Sequence, residues 1–213
     1  MSLVLHSYWR ATAPYRVRIG LNLKGLAYDY APVNLIKAEQ SEPDHLARNP
    51  QGLVPALETG EVTLTQSLAI LEWLDETYPQ PPLLPVSPND RAVVRAMAGL
   101  IACDIHPLNN MRVQKRLAAL GVDEAGRSSW SQGWIIDGFR ALEALVLQHG
   151  KGFAFGDRPG LADCLLVPQA YSAERYGVDL SAFPAIRAVA EHCATLPAFA
   201  DAHPDRQKDA QLA

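Results

Sequence analysis

The sequence predicts an α/β N-terminal domain followed by an all-α C-terminal domain, on three observations. Up to about residue 80, short β-type apolar runs alternate with helical periodicities. Pro79, Pro81, Pro82, Pro85 and Pro88 then crowd a segment that neither a helix nor a central strand accommodates. After Asp90 only long apolar periodicities remain, without strand-like alternation. The expected organisation is a first domain over 1–80, a stiff linker over 81–90 and a helical domain over 91–213.

Each element follows in order. Leu3-Val4-Leu5 is a short run of strand type, and Tyr8 to Ala13 reads as a loop. Pro14 suits the first turn of a helix, where a missing N–H costs nothing. Val17, Leu21 and Leu23 then form an apolar stripe with Arg16 and Arg18 between them. Tyr28 to Val33 is the second strand, while Val54–Leu57 and Val62–Leu64 form a hairpin around Thr59-Gly60. Ile70, Leu71, Trp73, Leu74 and Tyr78 make Ser67 to Tyr78 a helix. Strand–helix–strand, then helix, hairpin and helix, is the order of a thioredoxin-like domain. In the second half the spacing predicts helices over 91–120, 128–148, 161–176 and 184–196. Gly121, Gly150–Gly152 and Gly177 mark the breaks. The tail from Pro204 is polar and is expected to fray.

Composition narrows the function classes. A net charge of −4 across 213 residues provides no basic face for nucleic acid. No apolar run reaches the roughly 18 residues a membrane span needs. The N-terminal residues lack a basic start followed by a long apolar core, so no secretory signal is expected. Cys103, Cys164 and Cys193 are odd in number and widely spaced, which suits a reducing compartment rather than a disulfide framework. None belongs to a CxxC or Cys/His cluster, so no metal site is expected. The expected location is the cytoplasm.

The residues also speak for themselves chemically. A helix that starts near Pro14 points N–H groups and partial positive charge at the preceding loop, where Arg10 lies, and so favours an anion. Pro55 removes a ladder donor from its strand and belongs at an edge or bulge. Ser67 opens a helix and reads as its N-cap. Pro107 beside His106 predicts a helix kink with a structural histidine, and Asn109 and Asn110 point instead to a hydrated polar pocket.

Six motifs recur together: Tyr8-Trp9-Arg10, Arg16–Ile19, Asn49–Leu57, Gln66–Ile70, Cys103–Asn110 and Leu161-Ala162-Asp163. From Leu3 to about Leu196 the chain carrying them resembles the glutathione transferase superfamily. The resemblance is closest to the zeta class, which includes maleylacetoacetate and bacterial maleylpyruvate isomerases. It implies glutathione transferase architecture, with a thioredoxin-like first domain and an all-α second. It also implies glutathione as coenzyme and a homodimer in which the first domain of one subunit faces the helical domain of the other. Pro55 would be cis, freeing the Val54 N–H and C=O for the cysteinyl backbone of glutathione. Gln66 and Ser67 would bind the γ-glutamyl carboxylate, with Gln51 and Gln40 as further candidates.

One departure matters. Zeta members typically carry Ser-Ser-Cys after the loop arginine, and this chain has Ala11-Thr12-Ala13. Thr12 is the only hydroxyl left in the triplet to activate the thiol and touch glutathione, alongside its reading as an N-cap. Tyr8 lies where other classes keep an activating tyrosine, although in zeta-like chains it packs in the core. The resemblance gives Arg10, Arg112 and Arg175 to the substrate's carboxylates, which guanidinium forks bind in bidentate fashion. It gives His106 and Asn110 to glutathione. Asp163 would close a capping box, but Gly160 stands where the family has Thr, so half the box is expected.

The activity implied is glutathione-dependent cis–trans isomerisation of a maleyl-type keto dicarboxylate, with Arg10, Thr12 and Arg175 as the catalytic set. Residues 104–110 lean towards maleylpyruvate, and Met111, where some such sequences have arginine, leans away. Two alternatives remain beside it. One is a transferase or dehalogenase for small α-halo acids, and the other is a non-catalytic glutathione-binding protein.

Overall fold

The computed structural model describes residues 2–212, in two compact units. The first contains Met1–Leu83 with Thr195–Ala213, and the second Leu84–Ala194.

In the first unit β1 (Val4–Ser7) leads into α1 (Thr12–Leu23) and β2 (Asp29–Pro32). A 3₁₀ turn at Glu39–Ser41 and α2 (Pro43–Arg48) precede the hairpin of β3 (Ala56–Glu58) and β4 (Thr63–Thr65), and α3 (Ser67–Thr77) follows. The sheet order is β2-β1-β3-β4, with β1 parallel to β2 and antiparallel to β3, and β3 antiparallel to β4. This is the thioredoxin-like order that the sequence predicts. Pro55 differs from its expected place at an edge strand. It comes immediately before β3, an interior strand, and so removes no donor from the ladder.

Leu5, Val17, Ile19, Leu21, Leu57, Ile70, Leu71 and Leu74 are sealed from solvent and form the core of this unit. Gly20 sets how closely α1 and α3 approach, because a Cβ there would run into the Leu71 side chain. Arg16 and Arg18, which merely interrupt the apolar stripe in the sequence, are fully buried. Arg18 is anchored by Nη1 donating to Ser7 Oγ (3.1 Å), Nη2 to the Trp9 carbonyl (3.0 Å) and Nε to the Ala202 carbonyl (2.9 Å). At the far end of α1, buried Lys24 Nζ donates to Asp75 Oδ1 (2.8 Å), the Tyr78 carbonyl (2.7 Å) and the Pro81 carbonyl (2.6 Å). Asp75 Oδ1 also accepts from the Leu83 N–H at 2.6 Å. One ion pair thus ties α1, α3 and the start of the proline-rich segment.

The second unit is helical. The helix expected over 91–120 is instead four pieces: α4 (Pro88–Gly99), a π-helical stretch (Leu100–Ile105), a 3₁₀ turn (His106–Asn109) and α5 (Met111–Ala119). Pro107 has no N–H to continue the ladder, and Asn110 starts a new helix by accepting the Arg112 N–H at 3.0 Å. Then come α6 (Glu124–His149), α7 (Leu161–Arg175) and α8 (Pro184–Ala194), with Gly121 and Gly177 at positive φ closing α5 and α7. Almost every residue of α7 is buried. Asp163 accepts from the Gly160 N–H (2.9 Å) and the Ala154 N–H (2.8 Å), the half box expected where no side chain at position 160 can reciprocate. Burial pushes its carboxyl up to about 7, and the two backbone donors oppose that rise.

After α8, α9 (Pro197–Ala200) and 3₁₀ turns at Pro204–Arg206 and Lys208–Leu212 return to the first unit. The expected fraying tail is a correction: Pro204, Gln207 and Asp209 are buried, and Asn22 Nδ2 and Arg18 Nε bind the carbonyls of Ala198 and Ala202. The helical unit correspondingly ends at Ala194 rather than at the chain's end. The polar tail packs here because its Asp209 carboxylate meets the Trp9 N–H and the Tyr30 hydroxyl, while α1 donates to the carbonyls just before it.

Candidate active site

Sheet register explains why residues far apart in sequence meet. His6 pairs with Ala56 and Ala56 with Thr65 in antiparallel ladders. The loop leaving β1, the turn entering β3 and the turn leaving β4 therefore emerge at one end of the sheet. They carry Tyr8–Ala11, Val54-Pro55 and Gln66-Ser67.

In the first loop the Ala11 N–H donates to the Tyr8 carbonyl at 3.0 Å, closing a turn with Trp9 and Arg10 at its centre. The Arg10 guanidinium lies over the Trp9 ring at 5.4 Å. Ala11, not Thr12, is the N-cap of α1, and it offers no side-chain cap. Thr12 is the first helical residue and is buried, which corrects its reading as an N-cap. The first turn carries the Thr12 and Ala13 N–H groups, Pro14 having none, so positive potential gathers at the loop before α1. Tyr8 is only 5% exposed, as a core residue would be, yet its hydroxyl finds no hydrogen-bond partner among the described residues.

The Val54–Pro55 peptide is cis. The β1–β3 ladder begins at Ala56, which leaves the Val54 N–H and C=O outside the sheet's pairing. Asn49 braces the preceding loop, its Nδ2 donating to the Leu53 carbonyl (2.8 Å) and its Oδ1 accepting the Gln51 N–H (3.1 Å). Gln51 and Gln66 meet directly, Gln66 Nε2 donating to Gln51 Oε1 at 2.7 Å.

Ser67 is likewise not an N-cap. Gln66 holds that position with φ 67° and no side-chain cap, while Ser67 is the first helical residue and is buried. A glutamine at positive φ stores roughly 1–3 kcal/mol of strain, the kind of outlier that gathers at ligand clamps. Behind it, buried Arg16 Nη1 donates to Ser67 Oγ at 3.3 Å. The start of α3 therefore combines uncapped N–H groups, a hydroxyl and a buried guanidinium, which together suit a carboxylate. Gln40, the softest candidate, keeps its Oε1 buried without a partner among the described residues.

The second unit holds the remaining candidates. Half-buried His106 opens the 3₁₀ turn, and Asn110 spends its Oδ1 on capping α5. Arg112 follows in the first turn of α5 and is exposed, next to exposed Met111. Arg175 ends α7, exposed, with its guanidinium 5.7 Å from the Tyr171 ring. The Tyr176 hydroxyl donates to the Asn109 carbonyl at 2.9 Å, and Trp130 Nε1 donates to the Leu108 carbonyl at 2.9 Å. The structure thus ties the end of α7, next to Arg175, to the turn that contains His106.

Sequence reasoning missed Arg16, Arg18 and Asp209. The first two stand in an otherwise apolar helix, a signal that could have marked them as buried and paired. Asp209 sits in a polar tail with no local signal, yet its Oδ2 accepts the Trp9 N–H at 3.0 Å.

Fold and site together define a glutathione S-transferase. A family model described as glutathione S-transferase, N-terminal domain, matches residues 13–82, and one described as its C-terminal domain matches 139–197. The chain is 51% identical over 212 residues to maleylacetoacetate isomerase of Pseudomonas aeruginosa, covering 98% of this chain and 99% of that one. A holo structure of maleyl pyruvate isomerase, described as a bacterial zeta-class glutathione S-transferase, is 48% identical with a TM-score of 0.94, over 98% of this chain and 99% of that one. Maleylacetoacetate isomerase of Anaeromyxobacter dehalogenans, solved with dicarboxyethyl glutathione and citrate in its active site, is 46% identical with a TM-score of 0.88, over 98% of this chain and 97% of that one. This chain belongs to the zeta-class glutathione S-transferase family, that of the maleylacetoacetate and maleylpyruvate isomerases.

Proposed function

We propose that this protein is a glutathione-dependent cis–trans isomerase of a maleyl-type keto dicarboxylate, the class that includes maleylacetoacetate and maleylpyruvate. The observation that carries the reading is the convergence of Arg10, the uncapped start of α1, the cis Val54–Pro55 peptide and the Gln66-Ser67 turn at one end of the sheet. The relative that holds dicarboxyethyl glutathione supports it, since that ligand is glutathione joined through sulfur to a dicarboxylate chain.

On this reading Val54 pairs with the cysteinyl backbone of glutathione. Gln66, Ser67 and Gln51 take the γ-glutamyl end. His106 and Asn110 are the second unit's glutathione contacts. The thiol, mostly protonated at neutral pH when free, is held as thiolate by Thr12 and the N-terminal field of α1. The thiolate adds to one alkene carbon, and the displaced electron pair moves into the conjugated keto group as an enolate. The former double bond is now single and rotates. The enolate then collapses, re-forms the alkene in the trans geometry and expels the thiolate. Glutathione is regenerated and no proton or oxidant is consumed. Arg10 binds a substrate carboxylate and stabilises the enolate, with Arg112 and Arg175 as the carboxylate ligands of the second unit. The working form is a cytoplasmic homodimer.

The test is an ultraviolet assay of maleylacetoacetate and maleylpyruvate on the purified protein, with and without glutathione. Glutathione-dependent conversion of either to its fumaryl isomer is the expected result. Tight glutathione binding with no turnover of both would overturn the reading.

A further inference from the structure

The segment after α8 reaches back to the loop that carries Arg10. Asp209 is 9% exposed, and both of its oxygens are used. Oδ2 accepts the Trp9 N–H at 3.0 Å, and Oδ1 accepts the Tyr30 hydroxyl at 2.7 Å. Burial raises the Tyr30 phenol well above its ordinary range, so it stays a donor. The Trp9 carbonyl is taken by Arg18 Nη2 at 3.0 Å, and that guanidinium also holds Ser7 Oγ and the Ala202 carbonyl. The donor and the acceptor of the Trp9 backbone are therefore both fixed from outside the loop, one by the tail and one by a side chain that also grips the tail.

Trp9 and Arg10 are the central residues of the turn closed by Ala11 and Tyr8. With the Trp9 backbone pinned, little backbone freedom is left to Arg10 before α1 begins. Beside the apolar Phe199, Ala202 and Pro204, this tail also buries Asp209 and Gln207, and a buried carboxylate is tolerated only where donors meet it.

We propose that Asp209 is a positioning residue for the active loop: with Tyr30 as its buttress, it holds the Trp9 peptide so that Arg10 and the first turn of α1 keep their reactive geometry. The kinetic consequence rests on the isomerase reading above; the structural consequence does not. A displacement of about 1 Å in a reacting group lowers rates about a hundredfold.

The test uses the full chain with Asp209→Ala, Asp209→Asn and Tyr30→Phe. Asp201→Ala, which removes only an exposed pair with Arg206, is the control. Asp209→Ala is expected to lower kcat about ten- to a hundredfold and to speed amide exchange across residues 8–12 well below its melting temperature. Glutathione affinity by calorimetry should stay within about threefold, because the Gln66-Ser67 turn is untouched. Asp209→Asn should restore most of kcat, since its amide oxygen still accepts the Trp9 N–H. Tyr30→Phe should fall between, and Asp201→Ala should match the parent. Parental kcat and parental exchange at 8–12 in Asp209→Ala would overturn the proposal. So would equal losses in the Ala and Asn variants that merely track their melting temperatures. If the parent isomerises neither maleyl acid, the isomerase reading falls, and the exchange and calorimetry arms still decide the role of Asp209.

Discussion

Replacing Lys24 by methionine removes the charge that ties the far end of α1 to Asp75 of α3 and to the exit of the first unit. Methionine keeps an apolar stem of similar length and deletes every donor. Asp75 then keeps only the Leu83 N–H, and the carbonyls of Tyr78 and Pro81 lose the Nζ donor. The gross attraction at 2.8 Å is about 6 kcal/mol at an effective dielectric of about 20, but both ions have already lost their hydration. The measurable quantity is the penalty of stranding Asp75, about 3–5 kcal/mol, plus up to about 1 kcal/mol from the two carbonyls. A loss of about 3–6 kcal/mol in a chain of this length lowers the melting midpoint by roughly 6–24 °C. Adding Asp75→Asn removes the stranded charge and keeps an acceptor for Leu83, so the double variant should regain about half of the loss. Circular-dichroism melts and urea titrations of parent, single and double variants measure this. A Lys24→Met protein within about 1 kcal/mol of the parent, or a double variant no more stable than the single, would refute the reasoning.

Gly20→Ala drives a methyl into Leu71 and should destabilise by about 1–3 kcal/mol, with Leu71→Ala added in the same chain relieving part of the strain; an unchanged urea midpoint speaks against the close approach. Arg10→Ala and Arg175→Ala should raise KM for a maleyl acid at least about tenfold, and unchanged kinetics in both would remove the carboxylate assignment. Thr12→Ala should act mainly on kcat and leave KM near the parental value; a pure KM effect would mark Thr12 as a binding group. Asp163 has a folded pKa of about 7 against an ordinary 3.8, so the folded chain holds its proton more tightly than the unfolded one. The stability this group contributes is therefore full below about pH 4 and is lost as pH rises through 7, by at most about 4 kcal/mol. Asp163→Asn should flatten that fall, and urea midpoints at pH 5 and 7.5 that drop equally in both proteins would show the carboxyl is ionised throughout.

Much of this was legible along the chain because it is local. Apolar periodicity marks α3, α7 and α8, glycines mark the ends of α5 and α7, and five prolines mark the exit of the first unit. Val54-Pro55 and Gln66-Ser67, proposed above for glutathione, stand out along the chain for a related reason, because each is a contiguous motif. The N-caps lie one residue before Thr12 and Ser67, the positions that residue type alone favours. A residue type favoured at N-caps does not fix which residue leaves helical geometry, and here Ala11 and Gln66 do so without using their side chains. The apolar spacing across His106 continues past Pro107, but the helix expected there breaks because the backbone hydrogen bonds cannot continue.

Sequence alone was enough for the two-part architecture and the thioredoxin-like strand and helix order, since periodicity and proline chemistry are properties of neighbouring residues; the list of groups for a thiolate and for carboxylates rests on the family resemblance. Which of those groups share one end of the sheet, that Arg16 and Arg18 are buried, and that a polar tail fastens onto the Trp9 peptide came from the folded chain. Strand register and burial are collective. They depend on contacts between segments as much as 200 residues apart, as with Asp209 and Trp9, and no local pattern encodes such a pairing.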